Sequence, residues 1–163
     1  MTVGAVSRIA GTLGAVLFAL ANLGAAPRPW PLYMSLSRDK VFLREGPTYQ
    51  HKVLWIYTRK DLPVQIIAKY DVWRRVKDSE GTVGWVHATM VSARRTVLVI
   101  AKHPAAIRAD ADPDSKIEAL AQPGVVAKLE ACEADACEIS AAGTDGWIEK
   151  KDIWGVNAGE VFK

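Results

Sequence analysis

The chain has 163 residues, half of them hydrophobic, with 21 Lys and Arg against 18 Asp and Glu and only two cysteines. Beyond the first 26 residues no apolar run approaches the roughly 20 residues that a membrane-spanning helix needs, which excludes a helical span there. Once a leader is set aside, about 137 residues remain, enough for one compact domain or two small ones.

The first 26 residues read as a secretory signal peptide: Arg8, an apolar run from Ile9 to Leu20, then small residues to Ala26. An uncleaved anchor is the alternative. Ala19-Leu20-Ala21 fits the small-x-small cleavage rule, whereas Pro27 discourages a cut just after Ala26. A Pro-rich lead-in over 27–36 follows, with Pro27, Pro29 and Pro31 holding it extended and Trp30, Leu32 and Met34 available for packing.

A first unit is expected over 37–101. Lys40 to Arg44 reads as a strand ended by the Gly46-Pro47 turn, and Val53 to Tyr57 is apolar and aromatic. Val64 to Lys69, Val72 to Lys77 and Val83 to His87 form a meander, with Pro63 tolerated as a first strand residue. Thr96 to Ile100 is a β-branched strand that ends this unit.

The second unit, expected over 102–160, repeats the order in shorter form. Ala106 to Ala109 replaces the first strand, Ser115 to Ala121 reads as a diverging loop, and Val125 to Ala131 with Cys137 to Ser140 forms a hairpin. Gly146-Trp147-Ile148 then matches Gly84-Trp85-Val86, each about forty residues after Ile107-Arg108 and Leu43-Arg44 respectively. Asp152 to Trp154 mirrors Ala88 to Val91 as a closing turn. No stretch sustains a helical period, so the chain reads as all-β.

Cys132 and Cys137 stand at the tip of the second unit's hairpin, at cross-strand positions where a disulfide fits. Free thiols, or half of a metal site, are the alternatives. Bulk charge hides an asymmetry: residues 27–103 hold 14 basic and 6 acidic side chains, and residues 104–163 hold 6 and 12. Such opposed halves bear on partners, docking or charge-driven self-association rather than on fold.

The spacing of Val41-x-Leu43-Arg44-x-Gly46-Pro47, Leu62-Pro63-Val64, Trp73-Arg74-Arg75-Val76, Gly84-Trp85-Val86 and Arg94-Arg95-Thr96 resembles the bacterial SH3-like (SH3b) domain family. The second unit resembles it through Ile107-Arg108-Ala109, Pro123-Gly124-Val125, Cys137-Glu138-Ile139, Gly146-Trp147-Ile148 and Ile153-Trp154-Gly155-Val156. The resemblance implies two tandem, small, partly open five-stranded barrels in an exported protein, serving as binding or targeting modules of the bacterial envelope. Phe42 stands where the family commonly has Asn, and Ala136 stands where the first unit has Trp73.

Function is expected on the first unit. Tyr49, Trp55, Tyr57, Tyr70 and Trp73 interleave with basic residues that include Arg75, and aromatic faces beside cations suit an anionic glycan, a wall peptide or a lipid head group. Trp85 and Trp147 read as core aromatics, and Arg44 and Arg108 as arginines that pin a strand to a loop by pairing with a carboxylate. His51, His87 and His103 lack metal spacing, and no phosphate loop, nucleophile elbow or zinc-protease helix is present. The expectation is a periplasmic or secreted, non-catalytic module with no cofactor, no metal and no nucleic-acid partner. It would bind a cell-wall glycan or peptide, or an envelope protein.

Overall fold

The computed structural model describes Met1 and residues 32–163. The expected signal peptide and the first part of the lead-in lie outside the described residues. Two antiparallel sheets follow one another along the chain. The first contains β1 (Leu32–Leu36), β2 (Val41–Arg44), β3 (Val53–Tyr57), β4 (Pro63–Tyr70), β5 (Trp73–Lys77), β6 (Val83–His87) and β7 (Val91–Ser92). The second contains β8 (Thr96–Val99), β9 (Ala105–Arg108), β10 (Ile117–Ala121), β11 (Val126–Cys132), β12 (Ala136–Ala141), β13 (Thr144–Glu149) and β14 (Ile153–Trp154). Their spatial orders, β3-β2-β6-β5-β4-β1-β7 and β10-β9-β13-β12-β11-β8-β14, are the same order shifted by seven strands. The internal repeat is therefore a duplication of one topology, two small barrels in tandem, each of seven strands where five were expected.

Three segments differ from the sequence expectation. Leu32–Leu36, expected as lead-in, is a strand: it pairs with β4 and β7, and its Tyr33, Ser35 and Leu36 are buried. Thr96–Val99, expected as the last strand of the first unit, instead pairs with β11 and β14 of the second sheet. The physical reason is that the corresponding position in the first sheet, beside β4, is already held by β1, so Thr96–Val99 takes that position beside β11. Ile117–Ala121, expected as a loop, is an edge strand on β9, though three of its residues are exposed and its register slips between Ile117 and Ala119. The register slip breaks the alternation by which a strand shows itself in sequence.

Inward positions alternate along each strand and meet in two separate cores. Leu36, Leu43, Val64, Ile66, Val76 and Val86 fill the first, and Val97, Val99, Ile107, Ile139 and Ile148 the second. At about 25 cal/mol per Å2 of apolar area, each such side chain contributes roughly 1.5–3 kcal/mol of transfer free energy. The cores need close backbone approach at Gly84 and Gly146. A Cβ on Gly84 would lie 2.5 Å from the Leu43 side chain and 2.8 Å from the Arg44 carbonyl oxygen. On Gly146 it would lie 2.6 Å from both Ile107 and the Arg108 carbonyl oxygen.

The adjacent tryptophans face the other way. Because Gly84 and Val86 point inward, Trp85 lies half-buried on the outer face of the sheet, and Trp147 does the same between Gly146 and Ile148. The core-aromatic expectation is therefore corrected: the glycines touch the cores, and the indoles cover the outside.

The two barrels meet along a polar and aromatic seam. Thr96 Oγ1 donates to the Asp61 carbonyl at 2.8 Å, and Arg59 Nη1 donates to the Gly124 carbonyl at 2.8 Å. Tyr33 of β1 meets Trp154 of β14 edge to face, with ring centroids 5.1 Å apart. Arg95, between the barrels, donates to both carboxylate oxygens of Glu160 at 2.6 and 3.2 Å and to the Gly155 carbonyl at 3.0 Å. Backbone carbonyls, rings and the Arg95–Glu160 ion pair, rather than facing rows of opposite charge, make up this seam.

Candidate functional site

Strands β2, β6 and β5 lie side by side, and their outward residues form one surface. Phe42 and Arg44 alternate outward from buried Val41 and Leu43 on β2, and Trp85 and His87 do so on β6. On β5, Trp73 and Arg75 stand directly across from His87 and Trp85, while Arg44 is opposite Trp85 from the other side. Register alone thus assembles Phe42, Arg44, Trp85, His87, Trp73 and Arg75 on one face.

The loop after β2 closes one end of this face. Arg44 Nη1 donates to the carbonyls of Tyr49 and His51 at 3.0 and 2.9 Å, which folds the loop back over the sheet. Tyr49 is brought against Trp73, with centroids 5.0 Å apart at 67°, and stacks on His87 at 5.9 Å and 21°. Trp73 and His87 complete the triangle at 5.6 Å, and the Arg44 guanidinium lies 5.6 Å from the Tyr49 ring. Thr89 fixes the imidazole, since its backbone N–H donates to His87 Nδ1 at 3.3 Å. Edge-to-face pairs of this kind each contribute about 0.5–1.5 kcal/mol beyond area burial, so the cluster is built before any ligand arrives.

Beside the cluster is a cleft of about 260 Å3 lined by Lys40, Phe42, Arg44, Tyr49, Trp73, His87 and Met90. Trp73, 6% exposed, is its floor, and Tyr49 and Phe42, 63% and 40% exposed, are its rim. Lys40 Nζ lies 5.3 Å from the Phe42 ring. The volume falls just under the roughly 300 Å3 at which drug-sized pockets begin, so it suits one sugar ring or one side chain of a longer ligand. Rings offer stacking faces, and Lys40 and Arg44 offer cations for a carboxylate or phosphate.

The structure divides the six residues expected to bind ligand. Tyr49 and Trp73 meet in this cleft, and Arg75 extends the same face next to Trp85. Trp55 and Tyr57 belong to a different cleft of about 250 Å3, with Leu62, Asp78, Glu80 and Leu98. Tyr57 is buried there, its hydroxyl donating to Asp78 at 2.9 Å. Burial, then that hydrogen bond and the charges of Asp78 and Glu80, push its phenol far above the usual tyrosine range. Tyr70 is exposed at the β4–β5 tip, where Asp71 has a positive φ of 44°. Phe42, Lys40, His87 and Met90 were not singled out for binding in the sequence. Counting outward positions by twos from Arg44 and Trp85 would have reached Phe42 and His87.

The arginine expectation needs a related correction. Arg44 and Arg108 do pin strand to loop, but the acceptors are carbonyls: those of Tyr49 and His51 for Arg44, and that of Ser115, at 2.7 Å, for Arg108. Cys132 and Cys137 are joined by a disulfide across the β11–β12 hairpin, with Cα atoms 4.0 Å apart.

The bacterial SH3 domain family matches the chain twice, over residues 37–93 and 101–155. The chain belongs to that family. Bacterial SH3 domains are typically binding modules, commonly for cell-wall components. The solved structures of NlpC2 and NlpC1 from Trichomonas vaginalis are similar to this chain at TM-scores of 0.35 and 0.36 and identities of 11% and 12%. Those alignments cover 76% and 86% of this chain and 48% and 51% of theirs, so the chain spans about half the length of either. No curated protein matches it.

Proposed function

We propose that this tandem bacterial SH3 protein is a non-catalytic binding module that holds a component of the bacterial cell envelope, peptidoglycan or another anionic wall or lipid group, on the β2–β6–β5 face of its first barrel. The observation that carries the reading is the Tyr49–Trp73–His87 cluster beside Phe42, Lys40 and Arg44, a set of preformed rings and cations on an otherwise ordinary barrel. A sugar ring or peptide stem would stack on Tyr49 and Phe42 while its carboxylate meets Arg44 or Lys40. The reading includes export to the periplasm or beyond, with which the disulfide and the family are compatible.

The test is sedimentation of the mature protein with purified peptidoglycan at physiological salt. Retention should fall about tenfold in Tyr49→Ala and Phe42→Ala, the loss expected for one stacked ring. Both side chains are exposed, so folding is preserved. Retention by neither wall material nor anionic envelope lipid would end this reading.

A protein partner is the second reading, favoured by one observation. Among the described residues β3 is an edge strand whose Leu54, Trp55 and Ile56 are 45%, 58% and 42% exposed, and an apolar edge of this kind can accept a partner's strand. The opposed charges of the two halves also permit head-to-tail self-association, which would dissolve as salt rises. Light scattering across salt concentrations separates this reading from the first.

A further inference from the structure

The seam between the barrels carries another cleft, of about 230 Å3, that shares no lining residue with the aromatic one. Arg59, Lys60 and Asp61 enter it from the first barrel, Arg94 from the connector, and Thr96 and Lys128 from the second barrel. Four cations therefore line it against one carboxylate.

Their placement is fixed by the fold. Asp61 adopts a left-handed backbone, with φ 62°, that turns Arg59 and Lys60 toward the seam. Its N–H donates to the Leu36 carbonyl at 2.9 Å, and its own carbonyl accepts from Thr96 Oγ1 at 2.8 Å, so the turn is tied to both barrels. Arg59 uses one N–H on the Gly124 carbonyl, and a guanidinium has five. The lone carboxylate neutralises little: Asp61 lies 3.5 Å from Arg94, well beyond the roughly 2.8 Å of a tight charge-assisted bond. Lys128 pairs with Glu130 at 2.7 Å, but both are exposed, and such a pair exchanges readily for a better partner.

We propose that this cleft binds a phosphoryl or phosphodiester anion, gripped by Arg59 and Lys60 on one side and by Lys128 on the other, with Arg94 between them. Cations arriving from three chain segments suit a tetrahedral anion, whose oxygens point in several directions, better than a flat carboxylate. A bound anion bridges the two barrels and so stabilises their relative placement, by an amount that grows with the logarithm of its concentration above Kd. The site is separate from the envelope-binding face and does not depend on that assignment.

The probe is inorganic pyrophosphate, titrated into the full chain by calorimetry at low salt, with melting temperature as a second readout. Saturable binding that raises the melting temperature and weakens with added salt is expected. Lys60→Ala and Lys128→Ala, on opposite barrels, should each weaken it about threefold to fivefold, as for exposed ion pairs. Lys77→Ala, an exposed cation of β5 outside the cleft, should leave it unchanged. Tyr49→Ala should also leave it unchanged, which separates failure of this site from failure of the wall-binding face. Phosphatidylglycerol vesicles identify the source: binding displaced by pyrophosphate assigns the site to a lipid head group, and binding not displaced assigns it to a soluble phosphate. No saturable pyrophosphate binding, or an equal loss in Lys77→Ala and Lys128→Ala, overturns the proposal.

Discussion

The same outer face occurs twice in this molecule, and only one copy carries the ring cluster. Phe42, Arg44, Trp85, Arg75, Trp73 and His87 of the first barrel stand at the strand positions of Ala106, Arg108, Trp147, Glu138, Ala136 and Glu149 in the second. Arg and Gly-Trp persist at both, because each does structural work: the arginine clasps loop carbonyls and the glycine admits the neighbouring strand. Everything else on the face changes. Two rings and an imidazole become two alanines and a glutamate, and Arg75 becomes Glu138. Duplication thus separates scaffold from surface without an alignment, since what survives in both copies serves the fold and what differs is free to serve a ligand. The second barrel also replaces the Lys69–Arg74 cross-strand pair with the Cys132–Cys137 disulfide.

The largest effects should come from breaking what the two copies share. Gly84→Ala and Gly146→Ala each force a methyl group against a backbone carbonyl that cannot retreat without moving its strand. A loss of about 2–3 kcal/mol, at the upper end for overpacking, is expected from urea denaturation of each variant. A neutral result at either position would mean that the two Gly-Trp strands are not equivalent. Reducing the disulfide comes next. The short loop it closes corresponds to about 2 kcal/mol in the chain-entropy picture. Amide exchange should quicken in β11 and β12 while β4 and β5 keep their protection, and equal quickening in both barrels would refute the assignment of this staple to the second barrel alone.

Much of this was legible in the chain itself. Gly84-Trp85 and Gly146-Trp147 disclosed the duplication because tight backbone contact tolerates no other residue, and Cys132 and Cys137 disclosed their pairing because they flank a four-residue turn. The barrel boundary was less visible. Thr96–Val99 has the same β-branched pattern whichever sheet it joins, and what decides the matter is that Leu32–Leu36 already holds the equivalent position in the first sheet. The site was partly legible for a related reason. Tyr49 and Trp73 stood out as aromatic, but their meeting depends on Arg44 folding a loop across three strands, and Trp55 and Tyr57 carry the same composition into a different cleft. Alternation reports which side of a strand a residue occupies. It does not report which loop covers that side.

Deleting one ring from each barrel sharpens the comparison with a smaller expected effect. If the rings rather than the barrel hold the ligand, Tyr49→Ala should reduce wall retention about tenfold, whereas Trp147→Ala on the acidic face should leave it within about twofold. Equal losses would move the binding function to a feature that both faces share.

The smallest effect distinguishes the barrels by alkaline pH. Tyr57 occupies the β3 position that Ala121 occupies in β10, so only the first barrel has a buried phenol donating to a carboxylate. Burial, the bond to Asp78 and nearby negative charge all favour the neutral phenol, so its folded pKa is raised above its unfolded value of about 10. The stabilisation is complete below pH 10 and is lost as pH rises above it, because the unfolded tyrosine gives up its proton while the folded one retains it. One proton corresponds to about 1.4 kcal/mol per pH unit, so stability measured at pH 11 should fall by about 1 kcal/mol more in the native chain than in Tyr57→Phe. Since Tyr57→Phe keeps the ring and loses only the hydroxyl, identical slopes in the two proteins would show that the Asp78 contact does not hold the first barrel together in the way its geometry indicates.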